Sequence, residues 1–388
     1  MRRSLLALAA AALVIGGCTT EVQPSTPAAP PKPAGPQAGS PMTASGKARI
    51  ALLLPLTGRA AAIGQAMQQA AEMSLFDSGG RDIALASYDT GDTPDGAVQA
   101  YAKARTDGVA LVLGPLFGPS AKALAPAVQK NGVNVIAFSN DESAAQPGVW
   151  VMGIAAAPQV RRVAEYAMTS GIRRFAVFAP QSSYGEEMAR TLESYLAVHN
   201  ATAVAVELFP AQALDLSAPA QRLARELKGD GKLAVLVPVG PPRLSAVLSA
   251  LSNAGVDASS VQFIGTGVWD VPGIGSVSEL KGAWYAAPDP ARRADFERKF
   301  TATYGRPPQR LATLAYDAVA LAAQLARRKP GGDFSAEAIT NANGWAGVDG
   351  AFRLLPDGRS ERALAVIEVQ ADRTLVVSPA PGTFASTN

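Results

Sequence analysis

Ile50-Ala51-Leu52-Leu53-Leu54-Pro55-Leu56-Thr57-Gly58 decides how this chain folds. The five residues before the proline are apolar without interruption. A strand built from them has no face to show to water, so it belongs in a parallel sheet covered on both sides. Pro55 has no N–H for the ladder and ends it. Ile63, Met67, Ala70, Ala71, Ser74 and Leu75 then recur at helical spacing, Gly79-Gly80 closes the helix, and a second strand is expected near 83–88. Thr93-Pro94-Asp95 reads as the next helix start: a hydroxyl to cap it, a proline at the first position, a carboxylate at the positive end of the dipole. A strand over 109–113, a helix over 120–130 and a strand over 133–138 continue the alternation.

The pattern begins again after 153. Val160, Val163, Ala164, Ala167 and Met168 share one helix face, and strands are expected over 174–179, 202–208, 233–237 and 261–264. Met188, Leu192, Tyr195 and Leu196 mark one intervening helix, Leu223 and Leu227 another, and Leu244, Val247, Leu248 and Leu251 a third. Two such sets predict an α/β chain of two Rossmann-like lobes, each a parallel sheet between helices, with a cleft between them. The end of the chain differs. Residues 351–355, 363–369 and 374–378 read as short antiparallel strands, turned at Pro356-Asp357-Gly358 and Ala371-Asp372-Arg373.

Ahead of this body, Arg2 and Arg3 precede an apolar run over 5–15 and then Gly16-Gly17-Cys18. A basic start, an apolar core too short to span a bilayer securely and small residues after it make a secretory signal. Cys18 is the only cysteine of the chain. Its place after Ile15-Gly16-Gly17 resembles the lipobox of bacterial lipoproteins, which implies loss of residues 1–17, acylation of Cys18 and anchoring by more than one acyl chain. Residues 19–46 hold seven prolines among Ala, Ser, Gly and Thr. Such a tether is extended and semi-rigid, and at about 3.1 Å per residue it reaches up to roughly 80 Å.

Composition and motifs exclude most chemistry. The net charge of +3 falls to +1 without Arg2 and Arg3, and no run of Lys and Arg alternates with aromatics, so nucleic acid is not an expected partner. With Cys18 given to lipid, the exported body has neither a disulfide nor a thiolate metal site, and no cofactor is expected. His199 is the sole histidine, at the end of a helix, and reads as a surface residue. There is no G-x-S-x-G elbow, and 114–120 has glycines but no Walker lysine. Asp77-Ser78-Gly79 and Asp89-Thr90-Gly91 have the tripeptide of aspartic proteases, yet they lie on a helix end and a strand end of one βαβ stretch, not in facing lobes. Asp89, Asp92 and Asp95 lack the alternate-residue spacing of a calcium loop. The chain reads as a binder, not an enzyme. In open parallel sheets ligands meet the loops after the strands, which here are 55–64, 114–120, 139–143, 180–185, 238–243 and 265–270.

The segments at 50–58, Tyr88-Asp89, Leu113-Gly114-Pro115-Leu116, Tyr184-Gly185, Tyr304-Gly305 and Tyr316-Asp317-Ala318 fall in an order that resembles type I periplasmic solute-binding proteins of the leucine/isoleucine/valine-binding kind. The resemblance covers about residues 47–375. It implies two lobes joined by three crossings and closing on a ligand, with lobe 1 made of 47–152 plus 266–340 and lobe 2 of 153–265 plus 341–380, behind a signal at 1–17 and the lipidated tether at 18–46. The cleft candidates it points to are Thr57, Phe117, Gly118, Ser120, Ser139, Asn140, Asp141, Tyr184 and Trp269. The amino-acid site of that family transfers poorly. Where the leucine binders hold an α-carboxylate with hydroxyls and backbone groups, this chain has Phe117-Gly118-Pro119-Ser120 and Phe138-Ser139-Asn140-Asp141-Glu142. A proline without an N–H and two carboxylates would repel a ligand carboxylate.

A narrower resemblance joins 54–58, 113–116, Ser182-Ser183-Tyr184-Gly185 and the late Gly350 and Arg362-Ala363-Leu364 to the C-terminal domain of lipoproteins that activate penicillin-binding proteins. It implies a periplasmic protein lipid-anchored to the outer membrane, whose partner is a peptidoglycan synthase. Enterobacterial members carry a helical-repeat domain ahead of this fold, where this chain has the tether. The alternative is the substrate-binding lipoprotein of an ABC transporter, with an ABC permease as partner and an amino acid or small amide as ligand. The state of the cleft discriminates: a cleft plugged by Phe117, Phe138 or Trp269 points to protein contact, an open one to transport.

Overall fold

The computed structural model describes residues 42–44 and 46–384; the expectations for the signal, for Cys18 and for nearly all of the tether lie outside them. The first lobe holds β1 (Ala48–Leu54), α1 (Ala61–Asp77), β2 (Ile83–Asp89), α2 (Pro94–Thr106), β3 (Leu111–Leu113), α3 (Gly118–Asn131), β4 (Val135–Ala137) and β5 (Val149–Val151). Its strands pair in parallel in the order β2-β1-β3-β4-β5. The second holds α4 (Ala156–Thr169), β6 (Arg174–Gln181), α5 (Ser183–Ala197), β7 (Thr202–Pro210), α6 (Ser217–Glu226), β8 (Leu233–Leu236), α7 (Leu244–Asn253), β9 (Gln262–Gly265) and β10 (Trp284–Ala287). Its parallel strands run β7-β6-β8-β9-β10, the order of the first sheet repeated strand for strand. The chain then returns to the first lobe as α8 (Pro290–Tyr304), α9 (Ala312–Arg327) and the ribbon of β11 (Phe352–Leu354) with β12 (Ser360–Arg362). It ends as β13 (Ala365–Val369) and β14 (Thr374–Ser378), antiparallel additions beside β10. The expected α/β architecture of two parallel-sheet lobes is present.

Both sheets are covered on both faces, as the unbroken apolar runs require. Ile50, Leu52 and Leu54 face Met67 and Ala71 of α1 and Leu314, Ala318 and Leu321 of α9. Ala51 and Leu53 face the other way, toward Tyr101 and Ala104 of α2 and Leu124 and Val128 of α3. In the second lobe Ala176 and Phe178 meet Leu223, Leu248 and Leu251, while Phe175 and Val177 meet Val160 and Leu192. The Thr93 cap is where the sequence put it, Oγ1 accepting from the Gly96 N–H at 3.0 Å, and Ser182 caps α5 in the same way, Oγ accepting from the Gly185 N–H at 3.2 Å. No helix among the described residues is long and apolar enough to cross a membrane.

Two boundaries need correction. The return to lobe 1 comes after Ala287, not at 266, because Trp284 and Tyr285 pair with Ile264 and Gly265 as a fifth parallel strand. The run over 284–287 is too short for its period to be read. The final departure comes at 363–364, not at 340. The segment expected at 351–355 folds back on Ser360–Arg362, and its Phe352 and Leu354 join the core of the first lobe.

The lobes also share one close contact. A Cβ on Gly64 would stand 2.0 Å from the Pro55 carbonyl oxygen, and one on Gly185 would stand 2.0 Å from that of Pro180. In each lobe a helix thus begins against the end of the strand before it, with only a hydrogen in between. Replacing Gly64 or Gly185 by Ala should cost about 1–3 kcal/mol of unfolding free energy through overpacking, seen as a lower urea midpoint at unchanged slope.

Candidate ligand-binding cleft

The carboxyl ends of the two sheets, with the crossing segments, enclose a cavity of about 550 Å³, within the size range of small-molecule sites. Phe117 comes from the end of the loop after β3, Gly118 and Pro119 from the first turn of α3, Ser139, Asn140 and Asp141 from the loop after β4, and Tyr184 from the start of α5. Val268, Asp270 and Val271 follow β9, Ile154 and Gln159 come from the first crossing and the helix after it, and Arg310, Leu311 and Leu314 lead into α9. Apolar side chains dominate the walls.

Of the sequence candidates, Phe117, Gly118, Ser139, Asn140, Asp141 and Tyr184 are brought together here. Thr57, Ser120 and Trp269 are not. Thr57 is turned to Asp89, whose carboxylate accepts from Thr57 Oγ1 at 2.6 Å and from the N–H groups of Leu56, Thr57 and Gly91. Burial opposes the Asp89 charge, but these bonds hold its carboxyl below the usual range, so the D-T-G tripeptide is a turn clasp. Ser120 is buried in the first turn of α3. Trp269 is out of water and donates Nε1–H to the Val239 carbonyl at 2.8 Å. Of the six loops, 238–243 does not reach the cavity. His199 is exposed and sits on the Tyr195 carbonyl at the end of its own helix.

Gln159, Asp270 and Arg310 were not singled out from the sequence. Gln159 is buried, donates to the Ala155 carbonyl at 2.9 Å and accepts from the Gly267 N–H, tying α4 to the loop after β9. Asp270 reaches from the second lobe to Arg293 of α8 at 3.1 Å and Arg310 at 3.5 Å, both carried by the first. Arg310 also pairs with buried Asp349 at 3.0 Å. Asp270 falls inside a loop marked in advance, but nothing in the sequence links it to arginines 23 and 40 positions further on.

Asp141 is satisfied within the protein. Burial opposes the Asp141 charge, yet bonds from Ser143 and an ion pair with Lys122 at 2.9 Å hold its carboxyl below the ordinary range. Burial raises Glu187 of α5, and the nearby charges of Glu142 and Asp141 add to this. The Tyr184 hydroxyl shares a 2.7 Å hydrogen bond with Thr266, and burial makes it a weaker acid than an ordinary phenol despite that bond.

With the geometry in place, the comparisons fit it. The model of the periplasmic binding protein family matches residues 47–374, and the chain belongs to that family. Its fold is that of the type I members. A structure assigned provisionally to a branched-chain amino acid ABC transporter of Rhodospirillum rubrum superposes with a TM-score of 0.75 at 20% identity, covering 85% of this chain and 100% of that one. A branched chain amino acid ABC transporter periplasmic ligand-binding protein of Burkholderia xenovorans gives 0.68 at 16%, covering 87% and 97%. An ABC transporter substrate-binding protein of Desulfitobacterium hafniense in complex with Leu gives 0.62 at 18%, covering 85% and 99%. An uncharacterised protein of Rickettsia prowazekii is 24% identical over 160 residues, 41% of this chain, and the match spans 43% of that relative's length.

Behind Arg310 the ion cluster continues to Arg362 and Asp317, 3.5 Å apart and both buried. Burial pushes the Asp317 carboxyl up to about 7, and Arg362, just beyond good hydrogen-bond reach, does not reverse it. The folded protein therefore holds a proton there that the unfolded chain, with an ordinary carboxyl, releases. That contribution to stability is complete below about pH 4 and lost as pH rises through about 7. Thermal midpoints should fall between pH 5 and 8, and Asp317→Asn should flatten that slope; an unchanged slope would place the titration elsewhere.

Proposed function

We propose that this protein captures a small molecule between its lobes in the periplasm and presents it to an ABC transporter, binding it without chemical change. The observation that carries the reading is the cavity of about 550 Å³ at the carboxyl ends of both sheets, with family membership in support. Attachment to the membrane through acylated Cys18 belongs to the same proposal, since a tethered receptor stays near its permease.

The competing reading, activation of a penicillin-binding protein, rests on the narrower resemblance and expects a filled cleft. Phe117 and Phe138 stand in the walls and leave the space open, and Trp269 is committed to Val239 in the second lobe. The open cleft thus favours capture.

A thermal-shift screen of amino acids, amides, aromatic and aliphatic metabolites and muropeptides tests the proposal. A true ligand at a hundredfold excess over its Kd should add about 2.7 kcal/mol of stability. Val271→Trp, which fills the cavity from a part-exposed position, should weaken that ligand at least tenfold while leaving the unliganded melting temperature within about 2 °C. A flat response across the screen would count against capture. Stimulation of a purified peptidoglycan synthase by the protein would restore the activator reading.

A further inference from the structure

We infer that the ligand of this cleft carries no carboxylate: it is an apolar molecule with an uncharged hydrogen-bonding head, of which a primary amide is the simplest. The inference rests on the capture reading and sharpens it.

The argument starts at α3, whose first turn opens into the cavity at Gly118. The positive end of a helix dipole is where an incoming anion would be received. Here that place is taken. Asp141 Oδ2 lies 2.6 Å from where a Cβ on Gly118 would stand, and 2.9 Å from Lys122 Nζ on the same helix. Pro119, next along, has no N–H to offer. A second carboxylate would therefore arrive beside the first and find the local cation engaged. Glu187 on α5 is a further carboxyl within the field of Asp141, already disfavoured as an anion by burial and by the charges of Glu142 and Asp141.

The opposite end offers no better reception. Arg310 is the cation in the cavity wall among the described residues, and it is held by Asp349 at 3.0 Å and Asp270 at 3.5 Å. Asp270 is in turn shared with Arg293. Drawing Arg310 onto a ligand anion would strip a guanidinium from the buried carboxylate of Asp349, which costs more than a surface pair yields. What remains unengaged is neutral. The Asn140 amide is exposed to the cavity with both a donor and an acceptor, and Ser139 Oγ, accepting from the Asp141 N–H at 3.0 Å, keeps its own proton to donate. A primary amide matches that pair in both senses, and its body would lie against Ile63, Leu116, Phe138 and Leu314.

Calorimetric titration of the purified full chain with four compounds of one shape tests this: 3-phenylpropanamide, 3-phenylpropanoate, phenylalaninamide and phenylalanine. Each amide is expected to bind at least tenfold more tightly than its acid. Asp141→Asn should shrink that ratio to threefold or less by admitting the acids, and Lys122→Met, which bares Asp141, should widen it. Acids that bind the wild type as well as the amides do would overturn the inference, as would a ratio indifferent to Asp141→Asn or a flat series in all three proteins. The two levels separate cleanly. A carboxylate metabolite that stabilises the protein in the broad screen sinks this inference and leaves capture standing, whereas a flat broad screen strikes at capture itself.

Discussion

Every side chain from Ile50 to Leu54 is out of water, alternate residues facing opposite ways. That single constraint governs the molecule. A sheet buried on both faces has only its strand ends left for polar work, and in a parallel sheet the helix starts gather at the carboxyl ends. Setting two such sheets with those ends toward each other makes a cleft from loops, and nothing further along the chain needs to be specialised for it. The repeated strand order and the paired glycines at 64 and 185 show the solution used twice.

The cleft has little charge to spare. Asp141 with Lys122, and Asp270 with Arg293 and Arg310, complete each other before any ligand arrives. Asp270 is also a bond between the lobes, since its two arginines belong to the other half. Domain closure around a ligand turns on such crossings, and this one lies in the cavity wall. The charge pairing of the cavity wall and the contact between the lobes therefore draw on the same few side chains.

Most of the fold was legible because its signals are local. An unbroken apolar run, a threonine ahead of a proline and a glycine pair after a helical stripe each carry their meaning within a few residues, and the structure follows them from β1 to β9 except at β5, a three-residue strand the sequence did not mark. The failures occur where meaning depends on distant partners. Trp284–Ala287 reads as nothing in particular until β9 lies beside it, and Phe352 looks like part of a terminal sheet until Ser360–Arg362 folds back on it. The site divides in the same way. Phe117, Gly118, Asn140 and Tyr184 were legible as residues following strands, whereas Arg310 owes its place to the crossing after Ala287 that carries α8 and α9 back to the first lobe. Thr57 and Trp269 sat in the right loops, but the first is taken by Asp89 at the surface and the second is buried in its own lobe, which position along a chain does not reveal.

At the start of the described body, Met42 bridges Ala48, so the incoming chain is stitched to the amino-terminal edge of β1. The cleft opens at that strand's other end. Mechanical load transmitted through the preceding segment would be taken up by the ladder between β1, β2 and β3, in shear along the most deeply buried part of the first lobe. Were the segment before Met42 to act as the proposed leash, its tension would be borne at the far end of β1 from the cleft.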